Sequence, residues 1–355
     1  MGNQKQKIEG LNGLRALAAL TVVATHMGWY ETFSESGIFP MVHGWAGVQL
    51  FFVLSGFLIT RLLLLEREHS GAIHLTYFFL RRAFRILPLY FIILLLVLLI
   101  TLFIAPKTEK EGFLMAALNV YNYVPRAWYS STLGHLWSLG VEEHFYLFWP
   151  FFLSWLWNRT SRTQAALLGS ILALSVLAYP ATFAMPELET LFFTERWTTS
   201  VAYNLLFGSL GAIILCSNDW PQRYRSLTRN LLTNPFALAA SVLLWGHTLL
   251  FDSEYISDLL RGAGFSLLVM WIFCNQQSRV VKILSIPPLD YIGKVSYGIY
   301  MYQGIIITTG PLRNPDSAWP PSPGIGLIVV LIIVPISYHL IERPLLRFGS
   351  RFRAV

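Results

Sequence analysis

Residues 86–105 read ILPLYFIILLLVLLITLFIA, an unbroken run with no charged residue. A helix needs about 20 apolar residues to cross the hydrocarbon core of a bilayer. Residues 322–341, SPGIGLIVVLIIVPISYHLI, form a second uncharged run of that kind. The composition agrees: 55% of residues are hydrophobic, 13% are charged, and the mean hydropathy is +0.53. Soluble domains carry about 25% charged residues. Working outward from the two runs by apolar length and flanking charge gives about ten spans, near 11–30, 43–65, 85–105, 136–157, 164–181, 198–216, 231–251, 257–275, 289–310 and 323–341. The expected fold is all-α integral membrane, with about ten transmembrane helices in a single membrane domain over residues 1–355. Residues 1–10 are short and polar and lack a small-residue cleavage site, so the first span reads as retained, not as a signal peptide.

The net charge is +7. In a soluble chain that excess would suggest nucleic acid; here it reads as topology, and no nucleic-acid partner is expected. With the N-terminus inside, the inner segments collect most of the basic residues, including Arg67, Arg81, Arg82, Arg85, Arg159, Arg343 and Arg347. The outer segments hold Lys107, Lys110, Arg126, Arg196, Arg261 and Arg313. That bias predicts both termini on the cytoplasmic side of the inner membrane, with the lipid bilayer as solvent. Two cysteines, Cys216 and Cys274, are too few for a disulfide framework and read as free thiols. The outer loop at 106–133 mixes Lys, Glu, Asn, Tyr and Trp, a composition suited to folding over the outer mouth. No internal repeat of the transporter kind stands out.

Ionisable residues inside spans are costly and mark function. Arg15 and His26 are 11 residues apart, so they fall within roughly 20° of one helix face, about 16 Å apart along the axis. Alone, each has a plain explanation: a snorkelling arginine and a hydrogen-bonded packing histidine. Their shared face argues for more. From His135 the chain reads HLWSLGVEEHFYLFWP to Pro150, in which Ser138, Glu142 and Tyr146 lie on one face at i, i+4 and i+8. Glu143 points elsewhere and suits an exposed span end. Arg81, Arg82 and Arg85 cluster at the inner start of the third span, either as a topology signal or as phosphate-binding forks. Two further polar stretches close the inventory, from Ser296 to Gln303 and from Ser337 to Pro344, the latter carrying Glu342 and Arg343. On these residues alone a membrane enzyme and a transporter or flippase for lipid-linked sugars stand level, with a structural or regulatory subunit as a third class. Consumption of a thioester separates the enzyme from the transporter.

Taken in order, five stretches resemble the acyltransferase-3 family of bacterial membrane acyltransferases. They are Gly13-Leu14-Arg15 with His26, GVQLFFVLSGFL from Gly47 to Leu58, RAFRILPLY from Arg82 to Tyr90, LWSLGVEEHFY from Leu136 to Tyr146, and SYHLIERP from Ser337 to Pro344. The resemblance covers nearly the whole chain and implies transfer of an acyl group, usually acetyl, from acyl-CoA (acetyl-CoA) to a hydroxyl of an extracytoplasmic carbohydrate. It assigns catalysis to His26, Glu142 and Arg15, and binding of the donor to Arg82, Arg85 and Arg15. Ser138, Tyr146 and Trp137 are candidate substrate contacts, and no metal is expected. His26 would act as general base or as acyl carrier, with Glu142 holding its tautomer. Candidate acceptors are O-antigen, capsule or exopolysaccharide, peptidoglycan, a glycolipid, and a small glycosylated metabolite. Some members carry an added extracytoplasmic hydrolase-like domain; this sequence reads as a stand-alone form. Two departures stand out: Gln49 where many members have an acidic residue, and Gln303 where many have histidine. Unlike imidazole, an amide side chain does not accept a proton.

Overall fold

The computed structural model describes residues 8–29, 44–103, 110–157, 159, 161–217, 222–246, 254–308 and 323–352. Among these, every regular element is helical; the β-type pairing is confined to one isolated bridge between Pro125 and Phe192. Leading the chain are α1 (Leu11–His26), α2 (Gly44–Ser70), α3 (Leu75–Phe103) and α4 (Lys110–Ala117). Next come α5 (Trp137–Leu156), α6 (Ser161–Phe183), α7 (Pro186–Leu191), α8 (Thr198–Cys216), α9 (Gln222–Thr233) and α10 (Pro235–Gly246). The chain continues with α11 (Glu254–Cys274), α12 (Arg279–Leu284), α13 (Pro287–Lys294), α14 (Ser296–Gln303), α15 (Pro323–Ser337) and α16 (Arg343–Gly349). Two π-helical turns, Gly304–Thr308 and Tyr338–Glu342, follow α14 and α15.

Among the described residues, five helical segments are long and apolar enough to cross a membrane: Gly44–Ser70, Leu75–Leu99, Thr194–Cys216, Tyr255–Cys274 and Gly324–Gly349. The chain is thus a multi-pass membrane protein. The remaining sequence-derived spans differ for local reasons. Helix α1 has 16 residues, roughly 24 Å at the α-helical rise. The run at 231–251 breaks at Asn234, whose side-chain oxygen accepts from the Phe236 amide at 3.0 Å and starts α10 afresh. The run at 289–310 breaks at Val295 and again at the π turn. Helices α2 and α3 run past the expected borders, with Gly71 (φ 78) turning the chain between them. Arg81, Arg82 and Arg85 therefore lie within α3 and not ahead of it. The outer loop folds, where described, into α4 and short 3₁₀ turns; residues 106–109 lie outside the described set. Leu95, Leu99 and Leu102 on α3, with Leu331 and Ile332 on α15, present an apolar exterior of the kind lipid contacts.

Helix α2 is the hub. It packs against α1, α8 and α11, and the approach to α8 is close enough to require glycine on both sides. A Cβ at Gly56 would meet the Leu205 carbonyl, and one at Gly208 the Val53 carbonyl. Where lipid tails are as apolar as leucine, such small-residue contacts supply the van der Waals attraction that holds helices together. The other bond between these elements is polar and buried. Arg261 Nη1 donates to Asp258 Oδ1 (2.6 Å) and to Gln49 Oε1 (3.0 Å). Trp45 Nε1 donates to Asp258 Oδ2 (2.9 Å), and Gln49 Nε2 donates to the Asp258 carbonyl (3.2 Å) and to Tyr203 Oη (3.3 Å). Arg261, assigned from sequence to an outer segment, is instead 3% exposed inside α11 and ion-paired. Gln49 is thus linked to a carboxylate, that of Asp258, through the shared donor Arg261.

Gly208→Val should destabilise by about 2 kcal/mol or more through overpacking, whereas Gly169→Ala, with nothing within 4 Å of the new Cβ, should stabilise by about 0.5–1 kcal/mol. Asp258→Ala should cost about 3–5 kcal/mol because it leaves Arg261 as a lone buried charge, and Asp258→Leu with Arg261→Met should recover part of that loss. Thermal unfolding in detergent, followed by size-exclusion chromatography of heated samples, measures each.

Candidate active site

Helix α1 presents Arg15 and His26 to two adjoining cavities, as their spacing requires. The first, of about 70 Å³, is lined by Arg15, Ser55, Ser138, Glu142, Ser296, Tyr297 and apolar residues of α2. The second, of about 220 Å³, is lined by His26, Trp45, Tyr129, His135, Trp137, Arg196 and Gly304 among others. Val48 and Tyr300 line both. Tyr300 is held in that position by hydrogen bonds: its hydroxyl donates to the His135 carbonyl (2.9 Å) and lies 2.5 Å from Ser138 Oγ. Ser138 Oγ also lies 3.4 Å from the same His135 carbonyl, so either hydroxyl can donate to the other.

The Arg15 cavity collects the charges. Glu142 accepts from Ser55 Oγ (2.7 Å) on one oxygen and from Tyr146 Oη (3.0 Å) on the other. Its i, i+4 relation to Ser138 and Tyr146 on α5 therefore makes the polar face that the sequence spacing predicts. Arg15 has Glu142, Tyr146, Arg82 and Arg85 as its charged and phenolic neighbours. Arg82 lies over the rings of Phe78 and Tyr146, 5.9 and 5.7 Å from their centroids. The Nε atoms of Arg15 and Arg82 are buried without a hydrogen-bond partner among the described residues. Donors left open in this way suit an oxyanion ligand. Arg81 is different: it is tied to Glu66 Oε2 (2.7 Å) and the Phe352 carbonyl (2.8 Å). Glu143 is half-buried with Arg82 nearby, so it belongs to this cluster and is not a solvated span end. Glu342 is likewise buried, with Arg85 among its neighbours.

The His26 cavity is built differently. His26 Nδ1 is hydrogen-bonded to Gln303 Oε1. The expectation that Glu142 would hold the His26 tautomer is not met by these contacts, since Glu142 is bonded to Ser55 and Tyr146. Trp137 stacks on Trp45 with centroids 5.3 Å apart and planes at 16°, and Trp45 is anchored by Asp258. Arg196 reaches this cavity with its guanidinium over Phe193 (4.3 Å) and Tyr129 (5.5 Å).

Sequence reasoning missed His135, Ser55 and Tyr300 as site residues. His135 is 7% exposed, and neither ring nitrogen has a hydrogen-bond partner among the described residues. It precedes α5, so a face count started at Ser138 passes over it. Ser55 carried a readable signal, a hydroxyl deep in the apolar run of α2. Asp258 and Arg261 carried one too, an i, i+3 charge pair inside a span.

The chain is 28% identical to the peptidoglycan O-acetyltransferase OatA of Listeria monocytogenes, covering 97% of this chain and 57% of that protein. It is 28% identical to YrhL of Bacillus subtilis, provisionally named a peptidoglycan O-acetyltransferase, with 97% and 56% covered. A provisionally named O-acetyltransferase of Staphylococcus aureus is 27% identical, with 97% and 58% covered. The chain therefore spans a little over half the length of these relatives. No solved structure matches it. The acyltransferase domain profile matches residues 8–342, a range that holds Arg15, His26, Arg82, Arg85, Glu142 and both cavities, and the chain belongs to the acyltransferase-3 family.

Proposed function

We propose that this protein is a membrane O-acyltransferase that moves an acyl group, most simply acetyl, from a cytoplasmic acyl-CoA to a hydroxyl of an extracytoplasmic carbohydrate. One observation carries the reading: a single face of α1 places Arg15, with Arg82 and Arg85 among its charged neighbours, at one cavity and a histidine at the next. A CoA thioester is anionic at its phosphates and electrophilic at its carbonyl. Arg82 and Arg85 would hold phosphate oxygens, with Arg15 further along the donor's path. Glu142 has a revised role, that of positioning Arg15 and balancing its charge through bonds shared with Ser55 and Tyr146.

An alcohol is a weak nucleophile until a base takes its proton. His26 is placed to remove that proton as the hydroxyl oxygen attacks the thioester carbonyl carbon. The C–S bond of the tetrahedral intermediate then breaks, and the leaving thiolate takes the proton from the imidazolium to give CoA-SH and the ester. The stacked Trp45–Trp137 pair offers a flat apolar floor for the C–H face of a sugar ring, and Ser138 fixes Tyr300 at the junction of the two cavities. Peptidoglycan is one acceptor this reading includes, because two relatives carry it in their names.

Membranes of the native host supply the acceptor, so the acceptor need not be identified for a first test. With [¹⁴C]acetyl-CoA, wild-type protein should release free CoA thiol in step with alkali-labile glycan acetate. His26→Ala should lower the rate by about 10²–10⁴ at equal protein level; a rate near wild type would sink the assignment. Arg85→Ala should raise KM for acetyl-CoA roughly tenfold or more, the loss of one charge-assisted bond to phosphate. Movement of glycan without thioester consumption would turn the reading to a transporter.

A further inference from the structure

The partner of His26 is an amide whose orientation the structure fixes. Gln303 is fully buried, at the last turn of α14. Its Nε2 donates to the Tyr300 carbonyl at 3.2 Å. A carbonyl accepts and never donates, so the amide nitrogen must face Tyr300 and Oε1 must face His26. An amide oxygen also only accepts, so the hydrogen of that bond sits on His26 Nδ1. A neutral imidazole carries one N–H, which leaves the lone pair on Nε2. Several contacts keep Gln303 in register. Tyr300 is pinned to the His135 carbonyl and Ser138. The winding changes from α to π at Gly304, and the His135 ring lies where a Cβ at Gly304 would be.

We infer that Gln303 is a positioning residue that presents Nε2 of His26 as the reactive nitrogen. The inference rests on the proposed reading that His26 takes the acceptor's proton, and it gives Gln303 the role expected of Glu142. It applies equally if His26 carries the acyl group, because either role uses the same lone pair. Through the cycle Gln303 Oε1 accepts from Nδ1–H in both the neutral and the protonated ring. Only the Nε2 proton comes and goes, first from the hydroxyl and then to the leaving thiolate. No bond to the supporting residue is remade, which is the preorganisation that lowers reorganisation cost in a transition state.

The test needs readouts that a packing role would not move. Full-length protein labelled with ¹⁵N-histidine is reconstituted in lipid, and His26→Ala identifies the His26 nitrogen signals by difference. Solid-state NMR should show Nδ1 protonated and Nε2 unprotonated in wild type. Gln303→Met, close in shape but without an acceptor, should lose that single tautomer. Its kcat with [¹⁴C]acetyl-CoA in host membranes should fall about 10²-fold or more, with KM for acetyl-CoA changed less than about twofold. Gln303→Glu, which restores an acceptor oxygen, should recover the Nδ1–H signal, with kcat returning only at higher pH than in wild type because the carboxylate favours the imidazolium. Size-exclusion profiles and melting temperatures matched to wild type establish that the variants are folded. A wild-type signal with Nε2 protonated, or a folded Gln303→Met protein at wild-type kcat, overturns the inference while His26 keeps its role if His26→Ala is inactive. If His26→Ala turns over like wild type, the proposed reading falls and the inference with it.

Discussion

A charge placed among apolar helices must find an opposite charge or a hydrogen bond, because an ionised group buried alone costs several kcal/mol. That constraint organises the interior of this protein. Arg261 and Asp258 satisfy each other, and their bonds to Gln49 and Trp45 tie α11 to α2. The same bonds set the wall of the His26 cavity, since Trp45 is half of the stacked pair with Trp137. Glu142 draws donors from α2 and from its own helix. Close approach of the helices accompanies this pairing: Gly56 and Gly208 bring α2 against α8, and Gly47 brings α2 against α1.

Local periodicity made the helical class readable, along with two polar stripes. Arg15 with His26, and Ser138 with Glu142 and Tyr146, share faces because α1 and α5 are regular through those residues. Reading failed where regularity fails. Helix α3 starts eleven residues before its uncharged run, so a rule based on uncharged length mistook its first turns for a flank. The π turns at Gly304–Thr308 and Tyr338–Glu342 change the face of everything that follows. Glu342 closes the second of these turns, and its inward position was not countable from sequence. Pairing across helices was also invisible. Nothing local says that Gln303 meets His26, 277 residues away in sequence, or that Glu142 does not.

On the proposed reading, the distribution of charge has a reason. A site for an anionic donor needs several arginines, yet arginines crowded together among apolar helices would repel before the donor arrives. Glu142, Glu143 and Glu342 lie beside Arg15, Arg82 and Arg85, so the cluster is balanced while it waits. Part of each guanidinium stays unpaired at Nε in Arg15 and Arg82, leaving donors to offer to an oxyanion. The carboxylates in this cluster thus make an arginine-rich pocket tolerable inside the bundle, a role distinct from proton transfer.

The histidine needs the opposite treatment. A carboxylate against His26 would favour the imidazolium, and a ring already protonated cannot take a proton from a hydroxyl. An amide fixes the ring's tautomer without adding charge. Tyr300 and Val48 stand between the two environments, so the charged cluster and the neutral histidine are neighbours without sharing a hydrogen bond. On the proposed reading, keeping Glu142 with Arg15, and Gln303 with His26, lets one short helix serve a polyanionic donor at one end and a deprotonation at the other.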